Sequence, residues 1–176
     1  MIYFIEGCTC AGKSTLVKQI LSGEKKLGDY NVSDWIHAPK HTPEPMNDNT
    51  SIVDRQFYVF TSFVSQFLAM IATGKNYLAD FSPWGVIPFS LAYLKLVKGE
   101  ERQRLLEQTE RQNDFLIDLT KMYDEQLKCI SYLKADAAVI KERLKNRRRA
   151  GDDFWTDEFI ENVVKEYNNM FSHFVN

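Results

Sequence analysis

Residues 7–14, Gly-Cys-Thr-Cys-Ala-Gly-Lys-Ser, constrain this chain more than any other stretch. They fit G-x-x-x-x-G-K-[ST], and the apolar run Ile2, Tyr3, Phe4, Ile5 leads into them. Leu16, Val17, Ile20 and Leu21 follow at helical spacing, and Gly23 stops the pattern. Strand, glycine loop and helix in that order make a P-loop, whose backbone N–H groups cradle polyanionic phosphate. Gly7 and Gly12 let the backbone turn, Lys13 carries positive charge to the outer phosphates, and the Ser14 hydroxyl is placed for Mg²⁺. The expected ATP-binding set is Gly7, Cys8, Thr9, Cys10, Ala11, Gly12, Lys13, Ser14 and Thr15. A glycine turn before any α/β helix is the bland alternative; the Gly-Lys-Ser triplet and the agreeing flanks weigh against it.

The rest of the chain alternates strand and helix signals, which implies an α/β protein with helices on both faces of a parallel sheet. A second strand is expected near Val32 to Ile36, and a polar, proline-marked loop over 37–51. Loops of that length in compact domains are usually functional. A long helix is expected from Ile52 to Thr73 with Gly74 as its stop, then a short buried strand at Tyr77-Leu78-Ala79 ending on Asp80. After the Ser82-Pro83-Trp84-Gly85 turn come a helix near Phe89 to Val97, a charged amphipathic helix over 100–127 with a break near its middle, and a strand from Cys129 to Leu133. Two helices close the chain, over 137–149 and from Asp157 to Phe174. In the first of them Val139, Arg143 and Arg147 share one stripe.

Composition narrows the function classes. The 176 residues suit one domain spanning 1–176 with one sizeable core. A net charge of −2 leaves no basic footprint for duplex nucleic acid, so nucleic acid is not expected as a partner. Three cysteines are an odd number, which argues against a disulfide framework and for a reducing, cytoplasmic setting. Cys8 and Cys10 make a poor zinc pattern with Cys129; an anion-binding loop lowers thiol pKa, so oxidation sensitivity is expected of them. No signal peptide is expected, because the apolar start is short and runs straight into the P-loop. The uncharged stretch from Phe57 to Thr73 is too short and too hydroxyl-rich for a membrane span, and reads better as a central buried helix or as a homodimer interface.

Phosphoryl transfer needs a metal-holding carboxylate, positive charge over the moving group and an oriented acceptor. Asp80 ends a parallel strand, where ligands bind in open α/β sheets, and is the candidate for Mg²⁺; a helix-capping or turn role is the alternative. Arg143, Arg147, Arg148 and Arg149 precede a Gly-Asp-Asp turn and fit a basic lid over about 143–155, against the bland alternative of a solvated basic helix end. Glu44, stiffened between Pro43 and Pro45, is a candidate base for an acceptor hydroxyl, and a surface-loop role is as compatible. The Gln56 amide offers donors and an acceptor to a nucleobase. His37 and His41 have no third metal ligand placed beside them and are expected to be loop residues.

These residues resemble the P-loop nucleoside kinases: deoxynucleoside kinases, herpesviral-type thymidine kinases and thymidylate kinases. Ile5-Glu6-Gly7 running into Gly12-Lys13-Ser14-Thr15 is similar to their opening, Pro43-Glu44-Pro45-Met46 to their Glu-Pro motif, and Gln56-Phe57-Tyr58-Val59 to their Gln-x-Tyr-Val. Ser131 through Arg147 resembles the strand and helix leading into their arginine-rich lid. The resemblance implies a three-layer αβα sandwich with a small parallel sheet of about four strands. It implies catalytic Lys13, Glu44, Arg143, Arg147 and Arg149, and a metal held by Ser14 and Asp80. It places Glu44, Arg55, Gln56, Asp80, Trp84 and Asp152 at the acceptor, Asp152 on the sugar 3′-hydroxyl.

Three departures stand out. Phe81 replaces the family's arginine after the metal-site carboxylate. The chain ends after its last long helix, without the family's final strand and adenine-contacting loop. The segment between strand two and the long helix is short, which suggests a pared-down acceptor pocket. The activity expected is ATP-dependent phosphorylation of a deoxynucleoside at its 5′ position. Asp54-Arg55 and the tail from Asp153 resemble thymidylate kinases, which keeps a deoxynucleoside monophosphate acceptor open, with Arg55 and Lys40 as phosphate holders. A kinase acting on a base or an end in DNA, and a non-catalytic nucleotide-binding module, complete the alternatives.

Overall fold

The computed structural model describes residues 1–38, 50–147 and 155–171, leaving aside the side chains of Lys128 and Cys129. Among these residues lie four strands, β1 (Ile2–Glu6), β2 (Ile36–His37), β3 (Tyr77–Ala79) and β4 (Leu127–Tyr132). The helices are α1 (Lys13–Leu21), α2 (Ile52–Thr73), α3 (Val86–Tyr93), α4 (Gly99–Met122), α5 (Ala137–Arg147) and α6 (Asp157–Phe171). The sheet runs β2-β3-β1-β4 with every pair parallel, as expected of the α/β class. All carboxyl ends therefore meet at one edge, the edge where ligands sit in such sheets.

Alternation along β1 splits the core in two. Ile2 and Phe4 face the larger cluster, with Phe67 of α2 and Val163 of α6, while Tyr3 and Ile5 face Val17 and Ile20 of α1. Glu6 continues the first of these faces, so it points inward, 1% exposed.

Helix α2 has the expected bounds because both ends are chemically marked. The Ser51 side chain accepts from the Asp54 N–H, and Gly74 closes the helix at φ 66°. Its environment differs from the buried helix expected. Only Val53, Gln56, Phe60, Phe67 and Met70 are buried, while Phe57 is 54% exposed. It packs on α3 and the sheet along one side and on α4 along another, which leaves an uncharged outer stripe of Phe57, Thr61, Ser65 and Leu68. By length and composition alone α2 is apolar enough to cross a membrane, with 22% of its apolar window buried.

Three further expectations shift. β2 starts at Ile36, because residues 30–35 turn: the Trp35 N–H bonds to the Val32 carbonyl, and the Trp35 ring packs 6.4 Å from Tyr3. α3 starts at Val86, because a 3-10 turn over Pro83–Gly85, capped by Ser82, runs straight into it. α4 continues unbroken from Gly99 to Met122.

Candidate active site

The P-loop has the conformation its glycines allow. Gly7 sits at φ 151° with the Leu133 carbonyl oxygen 2.6 Å from where a Cβ would stand, so a side chain there would collide with backbone. Gly12 adopts φ 105° at the start of α1. Lys13 Nζ donates to the carbonyls of Gly7 and Cys8 at 2.7 and 2.9 Å, curling its charge over the loop. From α5, Arg143 Nη1 donates to the Cys10 and Ala11 carbonyls at 2.9 and 3.1 Å, and Arg147 Nη1 to Thr9 Oγ1 at 3.3 Å. The helical stripe read from the sequence thus faces the loop. Between loop, α1 and α5 opens a cleft of about 550 Å³, lined by Thr9, Lys13, Ser14, Thr15, Arg143 and Arg147. Four cationic side chains, Lys13, Lys25, Arg143 and Arg147, and a helix N-terminus around one cleft suit a polyphosphate.

On the inner side of that cleft, Ser14 Oγ donates to Asp80 Oδ2, joining the start of α1 to the end of β3. Asp80 is 1% exposed. The turn that follows is capped by Ser82, whose side chain accepts the Gly85 N–H, and not by Asp80. A hydroxyl and a buried carboxylate converging beside a phosphate cradle fit a hard divalent cation such as Mg²⁺. His37, expected in a loop, instead ends β2, with Nε2 3.6 Å from Asp80 Oδ1.

Glu6 is a site residue that the sequence analysis left without a role. Its carboxyl is buried at the end of β1, and desolvation pushes its pKa up to about 7, against the lowering influence of Lys13 and the Ser82 hydroxyl. Gly85 packs directly on it: a Cβ there would meet Glu6 Oε2 at 2.7 Å. The Gly85 carbonyl accepts the Tyr167 hydroxyl at 3.0 Å, tying the site to α6. The usable signal was a charged residue at the last inward position of an otherwise apolar strand.

Cys8 corrects one expectation. It is 3% exposed, and burial pushes its thiol up to about 12, opposite to the lowering expected of an anion-binding loop. The oxidation sensitivity expected of a lowered thiol pKa therefore loses its basis at Cys8.

The side of the edge away from the P-loop is aromatic. Phe81 is 5% exposed and packs 5.3 Å from Phe63, so an apolar ring fills the position after Asp80. Trp84 is 8% exposed and lies 5.9 Å from Phe4 and 5.8 Å from Phe67, in the core under the sheet. Gln56 is buried, and its Oε1 accepts from Ser90 Oγ at 3.3 Å. Arg55 Nε donates to the Thr50 carbonyl at 3.1 Å. Glu44, Arg149 and Asp152 lie outside the described residues, as do Lys40, Arg148 and most of the expected lid.

Comparison with known proteins decides the family. The family model described as deoxynucleoside kinase matches residues 3–176. The chain belongs to the deoxynucleoside kinase family. The kinase is an enzyme that phosphorylates a deoxynucleoside with ATP as donor. No curated protein matches its sequence. Its fold is similar to deoxyadenosine kinase from M. mycoides. The structure of that enzyme with bound dATP has 18% identity and a TM-score of 0.62, over 99% of this chain and 86% of that one. The structure with the products dCMP and a flexible dCDP has 20% identity and a TM-score of 0.64, over 99% and 85%.

Proposed function

We propose that the kinase moves the γ-phosphoryl group of ATP to the 5′-hydroxyl of a deoxynucleoside across the carboxyl edge of its sheet. The observation that carries this is the ring of Lys13, Arg143 and Arg147 around the P-loop cleft, with Ser14 and Asp80 joined on its inner wall. Lys13, with the backbone N–H groups of residues 7–15, holds the phosphates. Arg143, Arg147 and Arg149 offset the charge spread over the phosphoryl oxygens, with residues 143–155 as the lid. Ser14 and Asp80 hold Mg²⁺, which when bound supplies further charge compensation to the phosphates. Glu44 takes the proton of the acceptor hydroxyl, Gln56 reads the base, Arg55 flanks it, and Asp152 holds the sugar 3′-hydroxyl, while Trp84, packed on Phe4 and Phe67, backs that pocket only from the core. Positioning and electrostatics carry most of the rate.

The chain acts as a single domain over 1–176, and a second copy covers the outer face of α2 and α4. Phe57, Leu68, Phe115 and Met122 are exposed along that face, and Arg104 and Arg111 alternate there with Glu107 and Asp114. Two free thiols in the phosphate loop fit a reducing, cytoplasmic setting, and neither membrane nor nucleic acid is a partner. The test of the acceptor is ATP consumption with the four deoxynucleosides and their monophosphates side by side, with Mg²⁺. Turnover of a nucleoside is the expected result. Turnover of monophosphates alone would move the acceptor to the thymidylate type and make Arg55 the next residue to substitute.

A further inference from the structure

We propose that His37 is a direct ligand of the metal held by Ser14 and Asp80, which gives this kinase a mixed nitrogen and oxygen metal site. The inference rests on the metal site proposed above. Three elements deliver these groups to one point: α1 brings Ser14 at its start, and the parallel strands β3 and β2 bring Asp80, just past Ala79, and His37. The two oxygens of Asp80 face different partners. Oδ2 accepts from Ser14, while Oδ1 faces His37 Nε2 at 3.6 Å. That separation is too long for a hydrogen bond. His37 Nε2 is buried and has no hydrogen-bond partner, although about a third of the side chain, 34%, is exposed.

A buried ring nitrogen with no hydrogen-bond partner is destabilising, and a bound cation removes that cost. Two donor atoms each about 2.1 Å from one ion stand about 3.0 Å apart at a right angle and about 3.4 Å apart at a tetrahedral angle. The 3.6 Å found here is within a small side-chain rotation of that range. The functional consequence follows from ligand chemistry. Oxygen-only sites suit Mg²⁺, whereas an imidazole nitrogen favours later first-row divalent ions such as Co²⁺ over Mg²⁺. This kinase therefore takes Co²⁺, and also Mn²⁺, with a nitrogen in the inner sphere.

The test uses the full chain with a non-hydrolysable ATP analogue, and the variants His37→Ala, His37→Gln and His41→Ala, each checked for its thermal midpoint. Titration with Co²⁺ and with Mg²⁺ comes first. Loss of His37 should weaken Co²⁺ binding by about tenfold or more and Mg²⁺ binding by less than about threefold. Pulsed electron paramagnetic resonance of the Mn²⁺ complex comes second. It should show imidazole nitrogen coupling that both His37 variants lose and the His41 variant keeps. Equal effects on both cations, or nitrogen coupling that is absent from the wild type or survives in His37→Ala, would overturn the inference and leave the Ser14–Asp80 site standing. Failure of the wild type to bind any divalent ion with the analogue would overturn that site as well.

Discussion

Around the P-loop, Lys13, Arg143 and Arg147 all bond to the loop itself, through four carbonyls and one hydroxyl. Across the same sheet edge, past Asp80, Phe81 lies against Phe63 and Trp84 lies against Phe4 and Phe67. One region is cationic and framed by backbone; the other is aromatic and close-packed. A polyphosphate presents the same charges whatever base it carries, so fixed N–H groups and cations suffice for it. On the acceptor reading proposed above, a nucleoside would meet the other region, where a flat, mostly apolar ring needs shape and few polar groups to read it. Phe81 falls on the border. It extends the aromatic region up to Asp80, with the Phe63 ring packed against it.

Breaking the cationic region should have the largest effect. Lys13→Ala should lower kcat/KM by about 1,000-fold or more with the thermal midpoint little changed, because positioned charge carries the transfer. Turnover near the wild-type rate would place the phosphates elsewhere.

Glu6 joins the two regions and should reveal itself through pH. In the unfolded chain it ionises near its ordinary 4.5, whereas burial holds it protonated up to about 7 in the fold. Across that window the unfolded chain has lost the proton that the folded chain keeps, so folding stability falls as pH rises. The loss should reach about 3 kcal/mol above the window and vanish below it. Glu6→Gln, compared with the wild type in urea at about pH 5 and about pH 8, should flatten this dependence and be relatively more stable at the higher pH. A wild type that is equally stable at both, with the variant following it, would mean that the carboxyl is not desolvated.

The acceptor side is tested through Glu44, the base proposed above. Glu44→Gln should lower kcat by about 100-fold with a nucleoside acceptor. An effect of only a few fold would indicate an acceptor already ionised, as a monophosphate is. Arg143→Ala should have the smallest effect. About a tenfold fall in kcat/KM for ATP is expected, with a nucleoside KM that stays put, because the hydrogen bonds of Arg143 among the described residues go to the phosphate loop.

What was legible in the sequence is what short-range chemistry determines. Ser51 and Gly74 mark α2 to the residue, and the glycines, Lys13 and Ser14 mark the phosphate cradle. The arginine stripe of α5 could be read from helical spacing alone, because i and i+4 share a face. The place of His37 beside Asp80 could not be read this way, because it depends on β2 pairing with β3. Glu6 did carry a signal, a charge at the last inward position of β1, but the Gly85 that packs on it belongs to a turn far along the chain. A histidine between Ile36 and Ala38 has no local pattern to set it apart from a loop residue. For α2 the sequence left a buried core and an interface both open, because uncharged residues all round a helix look alike until the packing partners on each side are known.

The most direct test of two separately built halves is calorimetric titration of ATP and of a deoxynucleoside into the wild type and into Lys13→Ala. ATP binding should be lost or strongly weakened in the variant while deoxynucleoside affinity stays within about twofold of the wild type. Loss of both, with the fold intact, would contradict the separation, as would retention of both.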